Sequence, residues 1–195
     1  SSAASDVYKR QIFDMIKKII DYFYFFFASP EAYAKHIGVK IGKGSFIATK
    51  NFPSEPYLIE IGDFVRVAPG TFFYTHGGTW SLRKKYNNPK LDTFGKIKIG
   101  NYSYIGENCM IMPGVTIGEN CVIGGGSVVS RSVPDGVMVA GNPARFIGYT
   151  ENFYNKIKNN TDMCCKGMNY YQKKAYLLSL SDDVFSHKGN VKIPE

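Results

Sequence analysis

The 195-residue chain carries three histidines, His36, His76 and His187, and four cysteines, Cys109, Cys121, Cys164 and Cys165. An imidazole titrates near neutral pH, so a histidine is the first side chain to consider for taking a proton from a hydroxyl. The three histidines lie far apart in sequence, and no cysteine has the spacing of a zinc site or a disulfide framework, so no metal site is read. Cys164 and Cys165 are neighbours, with Cα atoms about 3.8 Å apart, below the usual bridging range. No serine or cysteine sits in a recognisable nucleophile setting, which favours direct transfer between two bound reactants over a covalent enzyme intermediate. His76 is distinguished by position: it stands where a regular pattern stops and a long irregular segment begins.

That pattern is clearest over residues 99–129, where an aliphatic residue recurs at every sixth position: Ile99, Ile105, Ile111, Ile117, Ile123 and Val129. A helical period would be broken by Gly100, Gly106, Gly118 and Gly124, whereas very short strands joined by tight turns fit. Two residues before each aliphatic sits a smaller one, Ser103, Cys109, Val115, Cys121 and Ser127. Because strand side chains alternate, each small residue and its aliphatic point inward together. Earlier in the chain Ser45/Ile47, Ile59/Ile61, Val65/Val67 and Thr71/Phe73 repeat the pairing, and Pro69-Gly70 and Pro113-Gly114 read as type II turns. Glycine after an aliphatic meets a corner that demands either a positive φ or room where a Cβ would stand.

The register slips twice. From Ile47 to Ile61 it gains two residues, so 51–57 must bulge at a corner. After Phe73 it stops, restarting at Ile97/Ile99. The intervening segment, 75–96, has loop composition and is long for a connection, which suggests a functional excursion. His76 stands at its mouth, and Glu55, in the bulge before it, is a candidate to orient the imidazole, weighed against a solvent-facing acid.

Over roughly residues 33–148 the sequence resembles the hexapeptide-repeat acyltransferases, closest to the galactoside, xenobiotic and polysaccharide O-acetyltransferase type. The resemblance implies an all-β solenoid, a left-handed parallel β-helix with an extruded loop (77–96) and short flanking helices. It implies acetyl-CoA as co-substrate, a homotrimer with active sites between subunits, and His76 as the catalytic base. Family members commonly carry an acidic residue right after this histidine, where Gly77 stands here. Trp80, Arg83 and Tyr104 join Glu55 as acceptor-binding or orienting candidates. Gly125, Ser130, Arg131 and Arg145 fall at positions that meet coenzyme A. The implied reaction is acetyl transfer to a sugar or polysaccharide-precursor hydroxyl. Alternatives are N-acetylation of an amino sugar, a metal-dependent hydratase needing three His ligands, and a non-enzymatic scaffold.

The ends read separately. Residues 1–11 resemble the in-frame translation of a transposase sequencing adapter and are set aside, which leaves open an upstream targeting or membrane segment. Residues 12–32 form an amphipathic helical segment, with Ile12, Ile16, Ile19, Ile20 and Phe23 on one stripe and Lys17, Lys18 and Asp21 largely opposite. The favoured expectation is a cap over the first coil; the other is a membrane-surface helix over 12–28, too short and charged to span. Residues 149–195 are a helical tail with Thr150 as expected N-cap. The net charge of +8 is scattered, with no basic-aromatic array, so no nucleic acid partner is read. Reduced thiols indicate a cytoplasmic protein, with contact at the inner membrane face as the alternative.

Overall fold

The structure is a computed structural model that describes residues 2–158 and 165–185, with side chains from residue 7 onward. His187 and Cys164 lie outside the described residues. The chain divides into two units, residues 1–153 and 154–195.

In the first unit, strands of two or three residues wind a left-handed parallel β-helix. One sheet stacks β1 (Lys40–Ile41), β3 (Ile59–Ile61), β6 (Ile97–Ile99) and β9 (Thr116–Ile117). The second stacks β2 (Phe46–Ile47), β4 (Arg66–Val67), β7 (Tyr104–Ile105), β10 (Val122–Ile123) and β12 (Val137–Ala140). The third holds β5 (Phe72–Phe73), β8 (Met110–Ile111) and β11 (Val128–Val129). Ile99 pairs with Ile117, Ile105 with Ile123 and Ile111 with Val129, so a regular coil is eighteen residues, or three hexapeptides. Ile47 pairs with Val67, twenty residues on, and Phe73 with Ile111, thirty-eight on. The bulge thus adds two residues to one coil, and the excursion twenty to another.

All the inward pairs are buried, and their aliphatics form one continuous core. The small members also bridge coils. Ser45 Oγ donates to Gly62 O, Thr71 Oγ1 to Gly106 O, Ser103 Oγ to Gly118 O, Cys109 Sγ to Gly124 O and Cys121 Sγ to Pro134 O. At corners the backbone turns out of the ladder, and these side chains satisfy carbonyls that would otherwise be buried unpaired.

The glycines after the aliphatics are required by close approach rather than by φ. A Cβ on Gly100 would stand 2.6 Å from Glu119 N in the next coil. The left-handed position comes two residues later, where Gly70, Asn108, Gly114, Asn120 and Gly126 have positive φ. Phe64 (φ 55) and Tyr102 (φ 59) also occupy it. This conformation is costly for bulky residues, and here the two rings stack at 5.4 Å and 7°.

The ends of the solenoid depart from expectation. Helix α1 (Ser2–Phe27) does not cover the first coil; α2 (Pro30–His36) does, with Ala34 buried in the core and Ile37 packed against it. Ser29 caps α2 through the Ala32 N–H, and Pro30 opens it. The body meets α1 on its polar arc: Asp21 Oδ1 lies 2.6 Å from His36 Nε2, Tyr24 stacks on that imidazole, and Lys50 Nζ donates to the Phe25 carbonyl. The stripe of Ile12, Ile16, Ile19, Ile20 and Phe23 is left exposed, Ile19 at 61% and Phe23 at 60%. Phe25 also meets Tyr33 edge to face, and with the compact α2 already closing the core the stripe has no place over it.

At the far end β13 (Arg145–Tyr149) runs antiparallel to β12, with a bulge, and ends the parallel ladder. Helix α4 (Thr150–Ile157) begins at Thr150, whose hydroxyl is buried without a hydrogen bond, so it is not the expected N-cap. In the second unit α5 (Tyr170–Leu178) opens on an Asn169–Gln172 capping box, and a 3₁₀ turn follows over Asp182–Val184.

Candidate active site

Both slips in register converge on one corner. Ile47 and Val67 are paired across a twenty-residue coil, and residues 55 and 75 carry the same offset, so the bulge of one coil meets the end of β5 in the next. Here Glu55 Oε2 lies 2.8 Å from His76 Nδ1 and accepts a 2.8 Å hydrogen bond from Thr75 Oγ1. The Glu55 side chain is 18% exposed and that of His76 46%. The hydrogen bond with His76 and then that with Thr75 hold Glu55 below the ordinary carboxylate value, against partial desolvation; Ser54 adds to them. A carboxylate at Nδ1 fixes a tautomer with its proton there and leaves Nε2 as the basic nitrogen.

The excursion is closed at its base by main-chain pairing. Gly95 N donates to Thr75 O at 2.7 Å, and His76 bridges Phe94 in antiparallel register. What composition suggested as loop contains a short helix, α3 (Trp80–Lys85). Arg83 braces it: Nη2 reaches Asp92 Oδ2 at 2.7 Å and Thr79 Oγ1 at 3.1 Å, and Nε donates to Leu91 O. Desolvation pushes the Asp92 carboxyl up, but the Thr93 N–H, the Arg83 charge and the Thr79 hydroxyl outweigh it and leave it lowered.

A cavity of about 400 Å³ opens between bulge and excursion, lined by Ser54, Glu55, His76, Trp80, Asp92 and Phe94 among others. The structure therefore brings together His76, Glu55, Trp80 and Arg83. Tyr104 stands apart, on the outer face of the second sheet between Arg66 and Val122, and does not line this cavity. Gly125, Ser130, Arg131 and Arg145 are exposed. Gly125 sits at the corner before β11, Ser130 and Arg131 just after it, and Arg145 opens β13. Sequence reasoning missed Thr75 and Asp92; the twenty-residue offset between Glu55 and Thr75 is the signal that finds the first. His36, bound to Asp21, belongs to the α1–α2 junction. Among the described residues no group of three or more His, Cys, Asp and Glu is arranged to hold a metal ion.

Comparison with known proteins gives this arrangement a context. Residues 96–131 match the model described as bacterial transferase hexapeptide (six repeats). Protein CapG of Staphylococcus aureus is 48% identical over 149 residues, 74% of this chain and 85% of that protein. The chain belongs to the hexapeptide-repeat acyltransferases. Galactoside O-acetyltransferase of Escherichia coli (strain K12) is 38% identical to this acyltransferase over 121 residues, covering 60% of the chain and 57% of that protein. A solved galactoside acetyltransferase in complex with coenzyme A shares the fold at a TM-score of 0.54 and 24% identity, over 72% of this chain and 82% of that one.

Proposed function

We propose that this acyltransferase moves an acetyl group from acetyl-CoA to a hydroxyl of a sugar or polysaccharide precursor, by direct transfer with His76 as general base. The observation that carries this reading is the imidazole held at Nδ1 by Glu55 in a cavity flanked by Trp80 and Phe94. Nε2 takes the acceptor's proton as its oxygen attacks the thioester carbonyl. The tetrahedral adduct collapses with cleavage of the C–S bond, and the imidazolium returns the proton to the leaving thiolate. Trp80 and Phe94 offer apolar faces to a sugar ring. Both carboxylates of the cavity are engaged, Glu55 by His76 and Asp92 by Arg83, which leaves none to hold an ammonium and favours a neutral hydroxyl over an amino sugar. The O-acetyltransferase activity named for the E. coli relative and the coenzyme A bound in the solved one support the same reading.

His76→Ala should lower kcat about 10²–10⁴-fold, or about 2.7–5.5 kcal/mol, with acetyl-CoA affinity and folding unchanged. Retention of most of kcat in the folded variant overturns the assignment. Alkaline hydroxylamine releases acetate from an ester product and leaves an amide intact, which separates O- from N-transfer; a protein that binds no acetyl-CoA is a scaffold.

The outward residues support a homotrimer. The first sheet presents Lys40, Glu60, Lys98 and Thr116, whereas the second presents Phe46, Tyr104 and Val122 with a single charge, Arg66, lying over the Phe46 ring, and the third Phe72, Met110 and Val128. One charged and two mainly apolar faces suit a prism with a neighbour on each of two sides. The proposed domain layout is 12–32 as the N-terminal helical segment, 33–148 as the catalytic solenoid with its loop at 77–96, and 149–195 as the helical tail. The exposed stripe of α1 rests against a membrane surface, an assignment favoured by its Ile- and Phe-rich composition; among the described residues no helix is long and apolar enough to span. Flotation with liposomes should be lost in Ile16→Glu/Phe23→Glu; a variant that instead changes oligomeric state places the stripe between protomers.

A further inference from the structure

Thr75 is fully buried, at 0% exposure, yet its side chain is polar and at the edge of the site. Its hydroxyl donates to Glu55 Oε2, the same oxygen that meets His76 Nδ1, and its carbonyl accepts from Gly95 where the excursion returns. One residue therefore links the bulge, the strand that delivers His76 and the closing strand of the loop. Glu55 has no such anchorage of its own. It precedes the 3₁₀ turn Pro56–Leu58 with φ −113 and ψ 61, outside any strand, on a segment inserted into its coil. A carboxylate on such a segment needs a second fixed donor to hold one oxygen in the imidazole plane.

We propose that Thr75 is a positioning residue of this acyltransferase: its buried hydroxyl clamps Glu55 Oε2 against His76 Nδ1 and thereby sets both the orientation and the basicity of the imidazole. The proposal rests on the reading of His76 as general base. By donating to the shared oxygen, Thr75 withdraws charge from the carboxylate and tempers its pull on an imidazolium proton. The other charged groups lining the cavity, Arg83 and Asp92, are paired with each other and form no ion pair with Glu55 or His76. Thr75 is thus the buried neutral donor through which the pair is adjusted, with Ser54 on the bulge itself a weaker one.

The test compares Thr75→Val, which keeps the shape and deletes the donor, with Thr75→Ser, which keeps the donor. Loss of one hydroxyl hydrogen bond to an ionised carboxylate predicts a fall in kcat of about tenfold to a hundredfold in Thr75→Val, with the KM for acetyl-CoA unchanged. The acid limb of the kcat/KM profile should move to higher pH, because an unclamped carboxylate holds an imidazolium more strongly. Thr75→Ser should restore both. Imidazole resonances of the folded Thr75→Val protein, followed by NMR against pH, report the same displacement without turnover. Wild-type kcat and an unmoved acid limb in Thr75→Val, with His76→Ala inactive, overturn the positioning role alone. A Thr75→Ser variant as impaired as Thr75→Val assigns the residue to packing and likewise overturns it. Activity retained in His76→Ala overturns the underlying reading, and this proposal with it.

Discussion

At the scale of single residues, the decisive fact is that Glu55 is charged throughout the range in which an imidazole titrates. Its carboxyl lies below the ordinary value because His76 and Thr75 donate to it. The stability of this pair is therefore complete above the unfolded carboxyl value of about 4.3 and is lost as pH falls through the lower folded value. The acid limb of the profile then reports the imidazole, and Glu55→Gln should move it to lower pH while lowering kcat, opposite in sign to Thr75→Val; a stopped-flow pH series checks both. The donor side gives a second expectation. Arg131→Ala and Arg145→Ala should raise the KM for acetyl-CoA, by up to about 1.5–3 kcal/mol each, with kcat less affected, as isothermal titration with coenzyme A would show. Cys109 and Cys121 are both at 0% exposure, and desolvation pushes their thiols up, so thiol reagents should reach neither before unfolding. His76 was legible in the sequence because the repeat halts beside it. Glu55 was legible only as a candidate, and Thr75 not at all. Their meeting depends on a coil of twenty residues rather than eighteen, which no local pattern announces.

At the scale of elements, six-residue periodicity specified nearly every strand, since each inward pair must find the core or lose it. What periodicity could not specify was the reason for the corners. Glycine after an aliphatic served close approach, and the left-handed turn fell two residues later, where Phe64 and Tyr102 occupy a position suited to glycine or asparagine. Gly100→Ala should accordingly destabilise the solenoid, because its methyl group would meet backbone of the next coil and no side chain can yield; a drop in melting temperature measured by circular dichroism checks this. Cys121→Phe should overpack the interior at a cost of about 1–3 kcal/mol or more, read from denaturant midpoints. The helices were harder to read. A stripe of isoleucine and phenylalanine signals burial, but it does not say against what. Here α2 took the place over the core and left α1 attached through Asp21, Tyr24 and Phe25. The loop helix α3 escaped notice because six residues are too few to show a period.

At the scale of the whole molecule, fold and family were legible together, because a solenoid writes its architecture into every coil and each coil confirms the last. The acceptor was not, since it depends on a cavity assembled from two insertions that break the code. The ends carry the heaviest constraint. A stack of parallel strands has no intrinsic reason to stop: its final edge offers the same unpaired N–H and C=O groups as every coil before it. The reversal of β13 against β12 answers this, with Val139 opposite Phe146 and Ala140 opposite Arg145. Phe146→Pro should distort that pairing, because its fixed φ and its ring constrain the strand backbone on either side of it, and light scattering should then reveal concentration-dependent assembly while the coils stay folded; a monodisperse variant would show that the reversal does not guard the edge. The bridging hydroxyls and thiols add a sense of travel. Each reaches from its own coil to a carbonyl later in the chain, Ser45 to Gly62, Ser103 to Gly118 and Cys121 to Pro134. Each coil thus carries donors that the corner carbonyls of its successor accept, so these links all run one way along the chain, as a thread is wound on a spool whose last turn is knotted back.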